Sequence, residues 1–215
     1  MSGRSRVAIA FAISALLTGC ASLLGESPPI TYYALTSTSS GDGMSSLADS
    51  RIIAVQTVRL PEYLNQKGIV TRTEANELDV AANSQWAGTL DDNITKVIVA
   101  DLSKLLGTTR IVAYPVSAVL PVDRVVQIDI SRFEAESGGN VQLSAQWIIF
   151  GDGGRSYVQI DGGSYMASAS DDDYRSIAAA MSRALGDLSR DIATSLAPAS
   201  SKPKPSAEDE KLDYT

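Results

Sequence analysis

The stretch RVVQIDISRFEAESGGNVQLSAQWIIFGDGG, residues 124–154, holds two runs of alternating apolar and polar residues, each followed by glycines. A third such run occupies residues 155–169. Glycine supplies the positive φ that tight hairpin connections need, so Gly138–Gly139 and the later glycine-rich segment predict turns. The first run alternates imperfectly, which predicts a bulge near Ser131 or Arg132. Together the three runs predict an antiparallel meander.

Two further segments predict amphipathic helices, because their apolar residues recur at steps of three and four. These segments are Leu90–Leu106, with Gly107 as its stop, and Asp171–Leu196, with Ser170 placed to cap its first turn. Shorter apolar and β-branched runs predict additional strands at residues 31–35, 51–58, 68–73, 77–81 and 110–114. The order of elements predicts an α+β fold: a single domain in which the two helices pack on one face of a mostly antiparallel, mixed sheet.

The N-terminal segment predicts a lipoprotein signal peptide. Two arginines precede an apolar run over residues 7–17, which is too short to span a bilayer of about 30 Å. The run ends in Leu17-Thr18-Gly19-Cys20, and Cys20 is the only cysteine of the chain. These four residues resemble the bacterial lipobox, in which the cysteine is acylated and becomes the mature N-terminus. Cys20 is therefore predicted to be a lipid anchor; the alternative is an ordinary signal peptide with a chance cysteine.

These features divide the chain into four parts: a signal peptide at 1–19, a lipidated tether at 20–30, one domain at 31–196 and a tail at 197–215. The tail is rich in Pro, Ser, Lys and Glu, which predicts disorder. Residue 21 is Ala and not the Asp that favours inner-membrane retention in such lipoproteins. We therefore expect the domain to face the periplasm from the outer membrane.

The composition excludes several function classes. The chain has no histidine, which removes Ser-His-Asp and Cys-His catalysis and any His-based zinc site. Its formal net charge is −7, and loss of two arginines with residues 1–19 leaves 16 basic and 25 acidic residues, or −9. Such a chain lacks the basic footprint of a nucleic-acid-binding protein. The acidic clusters Asp91–Asp92 and Asp171–Asp173 fall at helix starts, where acids interact favourably with the helix dipole, so we interpret them as capping groups and not as metal or acid/base sites. We expect no enzymatic activity, no cofactor and no metal.

Six short motifs are informative together: LPEYL at 60–64, GIVTR at 68–72, QWAGTL at 85–90, YYAL at 32–35, RFEA at 132–135 and LSAQW at 143–147. These motifs resemble those of the PqiC-type ABC transport auxiliary lipoproteins. The resemblance spans residues 20 to 196, including the lipobox and the final helix.

The resemblance implies an outer-membrane lipoprotein that serves an ABC-type system with an MCE (mammalian cell entry) protein in the periplasm, in lipid transport and envelope integrity. The partners would be the MCE protein and the ABC transporter subunits, and self-association stays open. The candidate partner contacts are Tyr63 and Leu64, in the segment before the third strand, and Gln85 and Trp86, in a loop before the first helix. The alternative is an assembly lipoprotein for another envelope machine, of the lipopolysaccharide, secretin or Tol type.

Overall fold

The computed structural model describes residues 28–41, 51–115 and 120–197. The predicted signal peptide, Cys20, most of the tether and nearly all of the predicted tail lie outside these residues. Both predicted helices and all of the predicted strands lie within them.

The described residues form eight strands and two helices. The strands are β1 (Thr31–Tyr33), β2 (Ile52–Gln56), β3 (Gly68–Glu74), β4 (Glu77–Trp86), β5 (Ile111–Tyr114), β6 (Val122–Glu136), β7 (Asn140–Gly151) and β8 (Ser156–Ser168). Helix α1 (Leu90–Leu105) follows β4, and helix α2 (Tyr174–Leu196) follows β8. The predicted order of elements is confirmed.

All eight strands belong to one mixed sheet, in which β6 is the central strand. On one side of β6, the antiparallel strands β7 and β8 complete the predicted meander. On its other side, β2 pairs in parallel with the first half of β6 and β3 with the second half. Strand β4 is antiparallel to β3, while β1 and β5 extend the sheet through parallel pairings with β4 and β2. The predicted α+β fold with a mixed sheet is confirmed.

The bulge predicted in the first strand of the meander is present. The β6–β7 register shifts between Ile130 and Arg132, so Ser131 is the extra residue. Because side chains alternate between the two faces of a strand, Phe133 enters the core and its neighbours Arg132 and Glu134 take the opposite face. The turn after β6 uses Gly138 and Gly139 at φ values of 92° and 77°, as predicted.

Both helices pack against one face of the sheet and against each other. The apolar stripe of α2 is buried along its whole length, at Ile177, Met181, Leu185, Leu188, Ile192 and Leu196. It meets the β7 side chains of the same core, among them Val141, Leu143, Trp147 and Ile149. Burial of this many aliphatic and aromatic side chains is the main stabilising contribution available to a chain without a disulfide.

The cap predicted for the second helix was placed at the wrong residue. Ser170 does not cap α2, because the helix begins only at Tyr174 and Asp173 is its N-cap. The Asp173 carboxylate accepts a hydrogen bond from the backbone N–H of Ser176 at 2.7 Å, and this bond lowers the pKa of Asp173. An aspartate at this position satisfies an N–H that has no partner within the helix.

One buried carboxylate holds the segment after β1 against both helices. Asp101 of α1 is fully buried and accepts hydrogen bonds from Ser37 Oγ at 2.6 Å, the Ser39 backbone N–H at 3.1 Å and Ser189 Oγ of α2 at 3.3 Å. The segment also approaches α2 closely at Gly186, where a Cβ would lie 2.4 Å from Thr38 Oγ1. The start of the domain is therefore held by polar contacts to both helices.

We predict that Asp101→Ala loosens this segment and costs about 3 kcal/mol of unfolding free energy, because three donors lose a charged, buried acceptor. Urea unfolding measures the cost, and amide hydrogen exchange over residues 35–41 should accelerate more than exchange in β7. The control is Asp92→Ala, which removes an exposed acid of the same helix and should change stability little. Equal stabilities of the two variants would contradict this role for Asp101.

Candidate functional site

The sheet has one face that carries no helix among the described residues, and this uncovered face is the candidate site. Burial alternates along β7 and β8, so that Leu143 and Trp147 point into the core while Gln142, Ser144 and Gln146 point away from it. The cross-strand register carries the same alternation onto β6 and β8. One end of the uncovered face is charged and the other is apolar.

The charged end is organised around Glu134, whose side chain is fully buried even though it lies on the uncovered face. Its carboxylate accepts hydrogen bonds from Tyr63 Oη, Arg72 Nε and Arg132 Nε, each at 2.8 Å. The donors come from three places: the segment between β2 and β3, β3 itself and β6. The carboxylate therefore ties the irregular segment before β3 to two strands of the sheet.

Arg132 extends this network along the face. Its guanidinium also donates to Gln142 Oε1 at 2.6 Å and to Glu136 Oε1 at 2.7 Å. Gln142 in turn donates to the same Glu136 oxygen at 2.9 Å. Two arginines and two glutamates thus balance in charge, and their planar, multiple hydrogen bonds fix the side chains in place.

The electrostatics of the cluster follow from burial and hydrogen bonding. Burial alone would raise the pKa of Glu134, but hydrogen bonds from Arg72, Tyr63 and Arg132 stabilise the carboxylate and hold its pKa below the usual value. Burial, followed by the hydrogen bond to Glu134, raises the pKa of Tyr63 to about 12. At neutral pH Glu134 is therefore ionised and Tyr63 is a neutral phenol.

The apolar end of the face is formed by β7 and β8. Exposed side chains of β8 at this end include Tyr157, Val158 and Ile160, whereas Met166, which is 76% exposed, pairs with Gln142 beside the charged cluster. Ile160 pairs with the half-buried Ile148 of β7, so the apolar surface continues across both strands. A surface of this kind is suited to contact with another macromolecule more than to enclosure of a small molecule.

The structure does not bring the four predicted contact residues together on one surface. Tyr63 reaches the uncovered face through its bond to Glu134, whereas the neighbouring Leu64 is buried. The prediction of a loop at Gln85 and Trp86 is wrong, because β4 continues to Trp86 and pairs there with β1.

The Trp86 side chain lies in the core and its backbone N–H donates to Lys67 O at 2.8 Å. Gln85 is half-buried, and its amide donates to Ala82 O at 3.1 Å. Contact with a partner stays a prediction for all four residues, and the side chains of Leu64 and Trp86 are shielded from solvent in this structure.

The network around Glu134 was not singled out as a site from the sequence. Its one local signal is the placement of Arg132, Glu134 and Glu136 at alternate positions, with the apolar Phe133 and Ala135 between them. The contribution of Arg72 and Tyr63 has no such signal, because it depends on the parallel pairing of β3 with β6.

Two further observations concern the described residues as a whole. No group of three or more Cys, Asp or Glu side chains among them is arranged to hold a metal ion. No helix in that part of the chain has the length and apolar character needed to cross a membrane.

Comparison with known proteins gives a consistent family. Residues 33–193 match the family model described as the ABC-type transport auxiliary lipoprotein component. The chain is 29% identical over 133 residues to the intermembrane transport lipoprotein PqiC of Escherichia coli K12, covering 62% of this chain and 68% of that protein. PqiC of Shigella flexneri matches to the same extent.

Two crystal structures share the fold. An uncharacterized protein superposes with a TM-score of 0.64 at 21% identity, covering 79% of this chain and 99% of that one. The protein XCC0632 from Xanthomonas campestris superposes with a TM-score of 0.64 at 18% identity, covering 76% of this chain and 92% of that one.

We predict that Glu134→Gln lowers the unfolding free energy by about 2 kcal/mol at pH 7, because two arginines lose their shared counter-charge. The difference from wild type should depend on pH. The pKa of Glu134 is lower in the folded state, so its stabilising effect is complete above the unfolded value of about 4.3 and is lost as the pH falls through the folded value.

Urea unfolding of both proteins at several pH values between about 3 and 7 measures this dependence. Glu74→Gln, which changes an exposed carboxyl of β3, is the control and should follow the wild type. A Glu134→Gln variant as stable as wild type at pH 7, or a difference that persists unchanged below the folded pKa, would contradict the role given to this carboxylate.

Proposed function

The chain belongs to the family of ABC-type transport auxiliary lipoprotein components, and on that premise we propose that it is a non-enzymatic docking component of an MCE-type lipid-transport system at the outer membrane. The observation that carries the proposal is the family match over residues 33–193, which includes almost the entire sheet and both helices. The relatives named as intermembrane transport lipoproteins support transport between membranes. In this function the domain holds one end of a lipid pathway and supports envelope integrity.

The uncovered face supports docking over catalysis. Each charged group of the Glu134 cluster already has a partner on the protein, and an ionised carboxylate between two guanidinium groups is a poor general base. The neighbouring apolar side chains of β8 are exposed on the surface of the sheet. A pre-organised charged cluster beside exposed apolar residues is typical of a protein interface.

The anchor is assigned to Cys20, with acylation at its thiol and amino group after removal of residues 1–19. Several acyl chains on one residue bind a membrane stably, whereas a single chain binds reversibly. From Cys20 to Ile30 the chain extends at most about 35 Å, so the domain would lie close to the membrane surface. With Ala at position 21, we assign that surface to the periplasmic side of the outer membrane.

An anchor at Cys20 would be separated from the meander by the width of the sheet. The tether enters at β1, one edge of the sheet, and β8 forms the opposite end of the path β1-β4-β3-β6-β7-β8. Five spacings of about 4.8 Å separate these two strands by about 24 Å. The meander and its uncovered face are therefore placed away from the point of attachment, where a transporter subunit has access to them.

We predict that Cys20→Ala releases the protein from the membrane fraction without unfolding it, because residue 20 precedes the packed domain and only the acyl chains are lost. Membrane flotation at high salt and circular dichroism of the released protein measure the two effects. Ser22→Ala is a matched control beside the anchor and should stay with the membranes. A Cys20→Ala protein that still floats at high salt would contradict the anchor.

The transport assignment is tested by the partners of the lipidated chain. We expect gentle detergent extraction of a C-terminally tagged protein to co-purify an MCE-domain protein with ABC transporter subunits, identified by mass spectrometry. A tagged outer-membrane lipoprotein of unrelated function is the control for non-specific recovery. Specific recovery of a lipopolysaccharide, secretin or Tol-type machine would contradict the assignment and leave the lipid anchor unaffected.

A further inference from the structure

Strand β8 is a long edge of the sheet. It has 13 residues and pairs with β7 along its length, while no strand of the described residues pairs with its other side. An edge of this length presents a row of backbone N–H and C=O groups that another strand can pair with. By contrast, the opposite edge strands β1 and β5 have only three and four residues.

The sequence of β8 has few of the features that keep an edge strand from pairing with another chain. It contains no lysine, no arginine and no proline, and Gly162–Gly163 removes side chains from its middle. One bulge lies near its start, at the register shift opposite Ile149 and Phe150. From Gln159 to Ser168 the strand continues in regular register, and at its last residue Arg183 of α2 donates a hydrogen bond to the Ser168 carbonyl at 2.6 Å.

The two sides of β8 differ in chemistry. On the uncovered face it exposes Ile160 and Met166, with only Gly162 and Ser164 between them. On the helix side, a cavity of about 510 Å³ opens between β8 and the last turns of α2 and is lined by two carboxylates, Asp161 and Asp191. Within the described residues this lining includes no Lys or Arg.

We propose that the free edge of β8 receives an extended strand of the transporter's periplasmic subunit, with apolar side chains over the uncovered face and a Lys or Arg side chain directed to Asp161 and Asp191. The inference rests on the proposed function and specifies the contact that carries it. The backbone of the incoming strand would pair with β8, alternate side chains would supply specificity, and the basic residue would meet the two carboxylates that line the cavity.

The geometry favours this occupant over others. A lipid chain or a docked helix would cover Ile160 and Met166 but leave the backbone row of β8 unpaired. A second copy pairing antiparallel through Gly162–Gly163 would bring two Asp161 side chains and two Asp191 side chains to the same side, where like charges repel. Asp161 accepts hydrogen bonds from Gln159 and Ser195, and Asp191 accepts one from Tyr165 Oη, so both carboxylates meet neutral donors here. An incoming strand with a basic residue would pair with the backbone, cover the apolar side chains and add a positive charge beside these carboxylates.

The test uses the full-length lipidated protein in detergent and the purified periplasmic MCE-domain subunit of the same transport system. Hydrogen–deuterium exchange is measured with and without the subunit, and the Kd is measured by a surface-based assay. We expect slower exchange over residues 156–168 on binding. The double variant Ile160→Lys/Met166→Lys should bind at least about tenfold more weakly, because it places charges along the edge.

Two further variants sharpen the test. Val80→Lys is the matched control, since Val80 is 45% exposed on β4 against 44% for Ile160 on β8, and it should keep the wild-type Kd. Asp191→Asn keeps a hydrogen-bonding side chain but removes the charge, so it should weaken binding about threefold at low salt and have little effect at high salt. Circular dichroism checks that each variant is folded.

The outcomes separate the inference from the proposed function. Binding without protection of β8, or binding that the double variant leaves unchanged, overturns the inference while the docking function stands. Failure of the wild-type chain to bind the subunit overturns both. Protection of β8 that grows with protein concentration in the absence of the subunit identifies a second copy as the occupant and also overturns the inference.

Discussion

The packing of α2 against the meander of β6, β7 and β8 is the constraint on which the other features depend. The helix covers the Leu143 and Trp147 side of the sheet, and the strand alternation then assigns every other residue of the meander to the opposite face. That opposite face has no helix of its own among the described residues. Its side chains are therefore exposed to solvent except where they shelter each other, as they do around Glu134.

Glu134 is a side chain of this face that its neighbours shield from solvent. A carboxylate facing outward from the centre of a sheet would normally be hydrated, yet here Tyr63, Arg72 and Arg132 surround it and exclude solvent. Its desolvation is offset because three side-chain donors and the Phe133 backbone N–H converge on its two oxygens. The same contacts hold the segment before β3 in place, which couples the shape of the face to one ionised group.

Local pattern predicted the elements well because periodicity is a local property. The steps of three and four from Ile177 to Leu196 and the alternation from Val141 to Ile149 each reflect one element and the core it faces. The parallel pairings of β2 and β3 along β6 have no comparable signal, since they depend on contacts distant in the sequence. For the same reason the sequence placed a loop at Trp86, where the chain instead pairs with β1, and it did not identify the partners of Glu134. The N-cap is Asp173 and not the predicted Ser170, because three consecutive aspartates allow several helix starts.

Family membership places the protein in ABC-type transport, and the uncovered face is the part of the domain proposed to meet the transporter. Site-specific photocrosslinking in cells tests this directly, with a benzophenone side chain at Met166 on the uncovered face and, separately, at the exposed Ala179 on the outer side of α2. We expect crosslinks from Met166 to a transporter component and none from Ala179. Crosslinks to the transporter from Ala179 alone would contradict the assignment and place the docking surface on the helical layer.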